Sequence, residues 1–208
     1  MKWINLLNNC KIPYYIYKLH KNDSTIICSK YNSKNTLTIV LHGSIYIIKI
    51  FSNKKIIPTV ILNKDSIFNI ANVSNQFYYQ LIALEKTYIL TIKVQNLQKL
   101  NNQLMIHLIE SYKNTLNSYQ IMNETTNQKF RKNQVLQTIL YLFFEFGIVN
   151  KKQIQLPFKI SLKNLANITG MNQETISKII KEINNKSNIS YCKKKSIHIN
   201  NIFNLTKR

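Results

Sequence analysis

The sequence is poor in glycine, proline, cysteine and acidic side chains, and these shortages exclude several classes of function. Its 208 residues include 3 glycines, 3 prolines and 3 cysteines, and 8 Asp+Glu stand against 29 Lys+Arg. The scattered, odd-numbered cysteines offer neither a disulfide framework nor the paired spacing of a metal site. No glycine-rich phosphate-binding loop is present, and the 4 histidines are isolated, without a Cys-His or Ser-His-Asp grouping. The sequence therefore predicts a protein that is not an enzyme.

Long apolar runs and targeting segments are missing as well. No apolar run approaches the ~18 residues that a membrane span needs, so we expect no membrane partner. The first residues, Met1 to Cys10, lack the apolar core and cleavage site of a signal peptide, and they are not a Ser- and Arg-rich transit peptide. We therefore expect the protein to work in the compartment where it is made.

The charge of the chain is strongly positive. The formal net charge is +21, which favours a polyanion such as nucleic acid as the partner. Only Arg131 and Arg208 are arginines, and the abundant residues are Ile, Asn, Lys, Tyr and Phe, whose codons are rich in A and T. Mutational bias in an AT-rich genome, such as that of an organelle, accounts for part of the excess lysine without any function.

The first half of the chain has the pattern of short β-strands. Apolar, β-branched runs of five to seven residues recur between Tyr14 and Val94 and are separated by Asn, Ser, Lys and Asp clusters. This spacing predicts an all-β sandwich or barrel. The predicted strands are Thr25–Ile27, Leu37–Leu41, Ile45–Ile50, Ile56–Leu62, Phe77–Leu84 and Tyr88–Val94.

A long helix is predicted next, because neither proline nor glycine occurs between Asn96 and Arg131. Its apolar residues alternate in steps of three and four, over about 25 residues or ~40 Å. The stripe consists of Met105, Leu108, Tyr112, Thr115, Tyr119 and Met122. Such a narrow stripe is typical of a seam between two parallel copies of a helix. Packing of the helix on its own β domain is the alternative. A buried helix from Lys132 to Phe146, ended by Gly147, is predicted after it.

Two short helices follow near the carboxyl end. Ser161 is the predicted N-cap of the first, which runs to Ile168, and Gly170 supplies the positive φ of a tight turn. Asn172 then caps a second helix through Asn184, with an inward face of isoleucines. A short helix, a turn with glycine and a second amphipathic helix, in this order, predict a helix-turn-helix.

The second of these helices exposes side chains that pair with base edges in a major groove, namely glutamine, glutamate and lysine. Two predicted strands, Ile189–Cys192 and Ser196–Ile199, follow and are joined by three lysines that are well placed to contact phosphates. A small helical domain with a solvated lysine loop is the alternative. The predicted DNA-binding residues are Ser161, Asn172, Gln173, Glu174, Thr175, Ser177, Lys178, Lys181, Lys193, Lys194 and Lys195.

The sequence resembles the Crp/Fnr family of bacterial transcription regulators over nearly its whole length. The resemblance is most specific from Ser161 to Ile183, followed by Ile189 and the lysine-rich hairpin. It implies an α+β fold with three parts: an N-terminal β-barrel, a jelly roll like the cyclic-nucleotide-binding domain, over 1–95, a dimerisation helix over 96–130, and a winged helix-turn-helix over 131–208. The implied partners are double-stranded DNA, a second copy of the chain and RNA polymerase.

Four stretches are most similar to the nitrogen-regulator branch of this family, which occurs in cyanobacteria and red algal plastids: Ile39–Ile47, Asn63–Phe68, Gln76–Tyr78 and Phe143–Ile148. That branch binds 2-oxoglutarate with two arginines and a glutamate. The resemblance places the effector-binding residues at Phe68, Gln76, Thr115 and Gln120. At the last three positions, uncharged side chains replace the two arginines and the glutamate. Amides and hydroxyls cannot replace a bidentate guanidinium clamp, so no cofactor is expected. Two alternatives stay open: the chain has lost the effector, or it binds a different one.

The resemblance implies a sequence-specific transcription regulator, either an activator or a repressor, for nitrogen-related genes in the plastid stroma. The alternative is an effector-independent or nonspecific, nucleoid-type nucleic-acid-binding protein, for which a charge of +21 is sufficient.

Overall fold

The computed structural model describes residues 2–27, 36–69, 76–99, 101–150, 153–186, 188–191 and 196–200. The chain forms two compact units, Met1–Ile121 and Met122–Arg208. No helix among the described residues is long and apolar enough to cross a membrane. Each unit has its own core and is considered by itself.

The first unit begins with a helix, α1 (Lys2–Asn9), that the sequence pattern did not predict. Eight strands follow: β1 (Tyr14–Leu19), β2 (Ser24–Ile27), β3 (Thr36–His42), β4 (Ile45–Phe51), β5 (Ile56–Leu62), β6 (Ile67–Phe68), β7 (Phe77–Ala83) and β8 (Thr87–Lys93). A 3₁₀ turn (Val94–Lys99) leads into the long helix α2 (Asn102–Thr126), whose last residues belong to the second unit.

The strands form two antiparallel sheets, with orders β1-β8-β3-β6 and β2-β7-β4-β5. The expected closed barrel is therefore wrong for the described residues, because no ladder of hydrogen bonds joins the edge strands of one sheet to those of the other. All six predicted strands are confirmed. Residue alternation predicts which segments are extended, whereas the pairing of edge strands depends on distant parts of the chain.

Successive side chains point to opposite faces of the first sheet, and each face packs against a different layer. Leu37, Ile39 and Leu90 point to one side and pack with Trp3 of α1 and Leu104 of α2 in one buried cluster. Residues of the opposite face pack towards the second sheet, in a cluster that includes Val40, Ile47 and Leu81. The first unit thus has helices packed on one face of the first sheet and the second sheet packed on its other face.

Trp3 anchors α1 to two other parts of this unit. Its indole N–H donates a hydrogen bond to Asp65 Oδ1 at 2.9 Å, and its ring stacks on His107 with centroids 5.4 Å apart. His107 Nδ1 lies 3.2 Å from Glu110 Oε2 on the same helix. A buried tryptophan with a partner for its N–H is a strong anchor, and it explains why this short helix forms.

The apolar stripe of α2 divides between two faces. Leu108 and Thr115 are buried, and the Thr115 hydroxyl accepts a hydrogen bond from the Ile67 backbone N–H at 2.9 Å. Met105 and Tyr112 from the same predicted stripe are 47% and 40% exposed. The single seam is therefore wrong: the helix packs on its own unit along one line and exposes a second apolar line beside it. Steps of three and four residues fall short of and exceed one helical turn of 3.6 residues, so alternate members of the stripe lie on two neighbouring lines of the helix.

The second unit contains the remaining elements, which are α3 (Arg131–Phe146), β9 (Ile148–Asn150), β10 (Gln153–Gln155), α4 (Leu162–Thr169), α5 (Gln173–Lys186), β11 (Ile189–Tyr191) and β12 (Ile197–Asn200). Its four strands form one antiparallel sheet in the order β11-β12-β10-β9. The β9–β10 hairpin was not predicted, because each of its strands is only three residues long.

Gly147 ends α3, as predicted, but not through a left-handed backbone. Its φ is −64° and its ψ is 129°, an extended conformation that any residue adopts. Glycine is required because this position has no room for a side chain. A Cβ here would overlap the Phe143 carbonyl oxygen and lie 2.6 Å from Ile154 Cγ2.

Replacing Thr115 with valine tests the link between α2 and β6. The substitution keeps the shape of the side chain but leaves the buried N–H of Ile67 without its acceptor, so the free energy of unfolding should fall by about 1–3 kcal/mol. Urea unfolding of the full chain measures this. Ser118→Ala on the more exposed side of α2 is the matched control, with an expected change within about 0.5 kcal/mol. Equal effects of the two substitutions would contradict a stabilising role for this bond.

Candidate nucleic-acid interface

Helix α4 begins at a side-chain cap. The backbone of Ser161 is extended (φ −79°, ψ 157°), and its hydroxyl accepts a hydrogen bond from the Asn164 N–H at 3.0 Å. This bond satisfies one of the N–H groups that a helix leaves unpaired at its start. On the inner face of α4, Leu165, Ala166 and Ile168 are buried and Leu162 is half-buried.

Gly170 forms the turn between α4 and α5. It adopts the left-handed conformation (φ 67°, ψ 23°), and the next residue, Met171, donates its N–H to the Ala166 carbonyl at 3.0 Å. A residue with a Cβ is strained in this conformation, so glycine suits the position. The turn therefore forms where the sequence predicted it.

Helix α5 packs through isoleucines and begins at a second side-chain cap. Asn172 Oδ1 accepts a hydrogen bond from the Thr175 N–H at 2.8 Å. Ile176, Ile180 and Ile183 are buried, at the three- and four-residue spacing of one helical face. The opposite face of α5 is left for solvent or a partner.

Most of the predicted DNA-reading residues lie on that opposite face. Gln173, Glu174, Lys178 and Lys181 are exposed, and Ser177 is half-buried. We call Gln173, Glu174, Ser177, Lys178 and Lys181 the reading face of α5. Glu174 lies in the first turn, where the helix dipole favours a negative charge.

The two capping residues and Thr175 make contacts within the helix-turn-helix itself. The side-chain oxygens of Ser161 and Asn172 are engaged in the caps, and Thr175 donates its backbone N–H to Asn172. Ser161 and Asn172 therefore cap the starts of the two helices, and contact of these three residues with DNA stays a prediction.

Side chains that the sequence analysis did not select hold the carboxyl end of α5. Asn184 Oδ1 accepts a hydrogen bond from the Tyr191 N–H at 2.9 Å, and Asn184 Nδ2 donates to the Tyr191 carbonyl at 3.3 Å. The Tyr191 hydroxyl donates to the Ile160 carbonyl at 2.9 Å, and burial raises the pKa of this phenol. Asn184 and Tyr191 thus join α5, β11 and the segment before α4.

Helix α3 supports the other side of this pair of helices. Gln134 Nε2 donates to the Thr169 carbonyl at 2.8 Å, at the end of α4. Lys132 Nζ lies 2.8 Å from Glu182 Oε1 on α5, in a partly exposed ion pair. Helix α5, which carries the reading face, is therefore attached to the rest of the second unit at several points.

The predicted strand pair beside α5 is present. β11 and β12 pair antiparallel, with Ser190 opposite His198, and β10 pairs with the other edge of β12. The hairpin lysines Lys193, Lys194 and Lys195 lie outside the described residues.

The four residues that the resemblance implied for effector binding lie in different environments, and their role in binding an effector stays a prediction. Phe68 is buried between the sheets, and Thr115 is bonded to Ile67. Gln76 and Gln120 are exposed. Near Gln76, Lys49 places its Nζ 3.6 Å from the centroid of the Phe77 ring, in a cation–π contact.

Two tyrosines lie at the edge of the core between the sheets and α2. Tyr79 and Tyr119 both pack against the cluster around Val40. Burial, with a smaller contribution from the charge of an ionised Tyr79, raises the pKa of Tyr119 to about 12. Both phenols therefore stay protonated at neutral pH. Among the described residues, no group of three or more His, Cys, Asp and Glu is arranged to hold a metal ion.

Comparison with known proteins identifies the class of protein. No family model matches the chain. It is 32% identical over 203 residues to a protein described as an HTH-type transcriptional regulator, ycf28, of Porphyra purpurea, and this match covers 94% of the chain and 82% of the relative. It is 21% identical over 164 residues to the global nitrogen regulator of Nostoc sp., covering 75% of the chain and 73% of the relative.

A solved structure with the same fold is TTHB099, a transcriptional regulator of the CRP family from Thermus thermophilus. The TM-score is 0.71 at 10% sequence identity, and the match covers 89% of this chain and 92% of that one. A mixed α and β fold with a long helix is thus shared with this family, and the relative from Porphyra purpurea is similar along nearly the whole chain. The chain belongs to the Crp/Fnr family of helix-turn-helix transcription regulators.

Proposed function

We propose that this regulator binds DNA as a homodimer and reads sequence with helix α5. The observation that carries the proposal is the exposed reading face on a helix whose opposite face is buried and whose start is capped. A helix of this kind fits the major groove of DNA, with residues near its amino end against the base edges.

The reading face has the chemistry for base recognition. Gln173 suits adenine, Glu174 suits the amino group of cytosine, and Lys178 suits guanine. Lys181 lies one turn after Ser177, where a contact to phosphate positions the helix without reading sequence. The alternation of acceptors and donors favours sequence-specific binding, because an acidic side chain on a surface for nonspecific DNA would repel phosphate.

The hairpin after α5 makes the domain a winged helix-turn-helix in this proposal. β11 and β12 lie next to α5, and Lys193, Lys194 and Lys195 occur in sequence between them. Three lysines that follow the reading helix in sequence suit phosphate contacts on the DNA backbone.

The exposed apolar line of α2 supports the homodimer. Met105, Ile109, Tyr112 and Leu116 recur in steps of four, three and four, and they are 40–66% exposed. Water is a poor solvent for such a line, and the coiled-coil spacing matches a second copy of the same helix. We name these four residues the α2 seam.

We further propose nitrogen-related target genes and a plastid compartment. Similarity to the global nitrogen regulator of Nostoc sp. favours nitrogen-related genes, and the AT-rich codon preference favours a plastid genome. RNA polymerase is the protein partner that a regulator bound beside a promoter contacts. The second candidate function is nonspecific, nucleoid-type DNA binding, which the net charge of +21 favours.

Lys178→Ala tests the reading face. On a duplex selected by the full chain from random sequences, the loss of one base contact should weaken binding by about 1–3 kcal/mol. Binding to random duplex at the same salt concentration should change much less. Fluorescence anisotropy measures both affinities, and Lys18→Ala on β1 is the control of equal charge. Equal losses on selected and random DNA would instead assign Lys178 to a phosphate.

Ile109→Glu tests the α2 seam. A glutamate in a paired apolar line is desolvated without a partner, so the dimer should dissociate about 100-fold more readily. Sedimentation at micromolar concentration measures the fraction of dimer. Asn114→Glu, which adds the same charge to the exposed side of α2 away from the seam, should leave the dimer intact. A wild-type chain that is monomeric under these conditions would contradict the homodimer.

Calorimetric titration with 2-oxoglutarate tests the effector positions. We expect no saturable binding at millimolar concentration, because Thr115 is engaged with Ile67 and Gln76 and Gln120 carry no charge for a dicarboxylate. Saturable binding would show that another cation of the chain replaces the missing arginines.

A further inference from the structure

Strand β1 is an edge of the first sheet. It lies at the end of the order β1-β8-β3-β6, and among the described residues no strand pairs with its outer side. Its pairing with β8 covers all six residues from Tyr14 to Leu19, so the whole strand is held extended. The outer side of an edge strand presents a row of backbone N–H and C=O groups that a second extended chain can bond.

Large apolar side chains are exposed on both faces of β1. Tyr15, Ile16 and Tyr17 are consecutive, and they are 43–64% exposed. Because successive side chains of a strand point to opposite faces, both faces of this edge carry such groups. Scattered apolar side chains are ordinary on a protein surface, whereas a contiguous exposed set marks a surface that a partner covers.

The other three edges of the two sheets have features that prevent pairing. β6 is two residues long, and β5 contains Pro58, which has no N–H to donate. β2 has four residues and begins with a serine and a threonine. β1 has six residues, no proline and a single charge, Lys18. Of these four edges, β1 is therefore the one most suited to pair with another chain.

A second copy of β1 fits this edge in a defined register. Two copies of one strand pair antiparallel about a two-fold axis perpendicular to the sheet, and this axis keeps each side chain on its own face. With Ile16 on the axis, it lies opposite the same residue of the other copy. Tyr15 then lies opposite Tyr17, and Tyr14 lies opposite Lys18. Opposed aromatic and apolar side chains stabilise such a pair of strands.

The position of Lys18 distinguishes this register from its neighbours. With the axis at Ile16, each Lys18 ammonium lies beside a tyrosine ring, which favours a cation. The same kind of contact occurs within the chain, where Lys86 Nζ is 5.5 Å from the centroid of the Tyr88 ring. An axis at Tyr17 would place Lys18 opposite Ile16, and an axis at Lys18 would place two like charges opposite each other.

We propose that β1 is a second self-association surface, through which two chains join their first sheets edge to edge about Ile16. The contact is separate from the α2 seam, because it lies on a different element. One pair of strands makes a small interface, so the contact forms at higher concentration than the seam dimer. A seam dimer carries two copies of β1, so it can also join a neighbouring dimer on DNA. Only this last consequence rests on the proposed function.

Single cysteines in the full chain test the register. Directly opposed residues of an antiparallel pair have Cα atoms about 4.5–5.5 Å apart, which suits a disulfide. Ile16→Cys should therefore form a covalent dimer under mild oxidation. Tyr15→Cys and Tyr17→Cys should cross-link when mixed with each other, and much less when each is alone.

Two controls set the background of the cross-linking experiment. One is the wild-type chain with its 3 cysteines, and the other is Ile57→Cys, which replaces an exposed isoleucine on the proline-containing edge β5. Cross-linking of Ile16→Cys at the level of these controls would overturn the proposal. Tyr15→Cys or Tyr17→Cys alone cross-linking as well as Ile16→Cys would overturn it too.

Charge exchange at Ile16 tests the contact without a covalent bond. The seam variant Ile109→Glu is the background, and sedimentation at about 0.5 mM measures the association that remains. Adding Ile16→Lys or Ile16→Glu places like charges opposite each other and should weaken this association about tenfold. An equimolar mixture of the two variants should restore it, because lysine then lies opposite glutamate, and this recovery also shows that both variants fold.

Three outcomes of the charge exchange would overturn the proposal. They are a monomeric Ile109→Glu chain at this concentration, association that neither substitution at Ile16 changes, and a mixture that associates no better than its two components. The cysteine variants keep the proposal testable if a charge at Ile16 prevents folding.

Discussion

Helix α2 has two apolar lines, and its own unit covers one of them. Leu104 and Leu108 pack into the cluster beneath the first sheet, and Thr115 satisfies a buried backbone N–H of β6. The neighbouring line, the α2 seam, is exposed in the single chain. Because the packed line holds the helix on its sheet, it also determines which residues of α2 remain for a partner. In the proposed dimer, the same helix would therefore support the β unit and join the two copies.

In the second unit, caps, a turn and packing contacts determine how the reading face is oriented. Two side-chain caps define where α4 and α5 begin, and a left-handed Gly170 sets the turn between them. The buried isoleucines of α5 leave one face outward, and Asn184 with Tyr191 attaches its carboxyl end to β11. None of these contacts involves the reading face itself. Substitutions there are thus expected to alter recognition with little effect on stability.

Much of this architecture was predictable because it depends on local patterns. Ser161, Gly170 and Asn172 act through their immediate neighbours, so the helix-turn-helix was evident in the sequence. The absence of a closed barrel among the described strands was not, because edge pairing depends on distant residues. The β9–β10 hairpin was missed because its strands are only three residues long. Thr115 shows the same limit at the candidate effector site. Its spacing on the helix suggested a seam and the family resemblance suggested an effector position, but its hydroxyl bonds the backbone N–H of Ile67, 48 residues earlier.

In the proposed complex, two reading helices from a dimer contact one face of DNA. Hydroxyl-radical and methylation footprinting of the full chain on a duplex that it selects from random sequences tests this most directly. The proposed dimer should protect guanines in two major-groove half-sites that form an inverted repeat. The half-sites should lie ~34 Å, or about one helical turn, apart. A single half-site, or uniform protection with no selected sequence, would contradict it and favour a nonspecific DNA-binding protein.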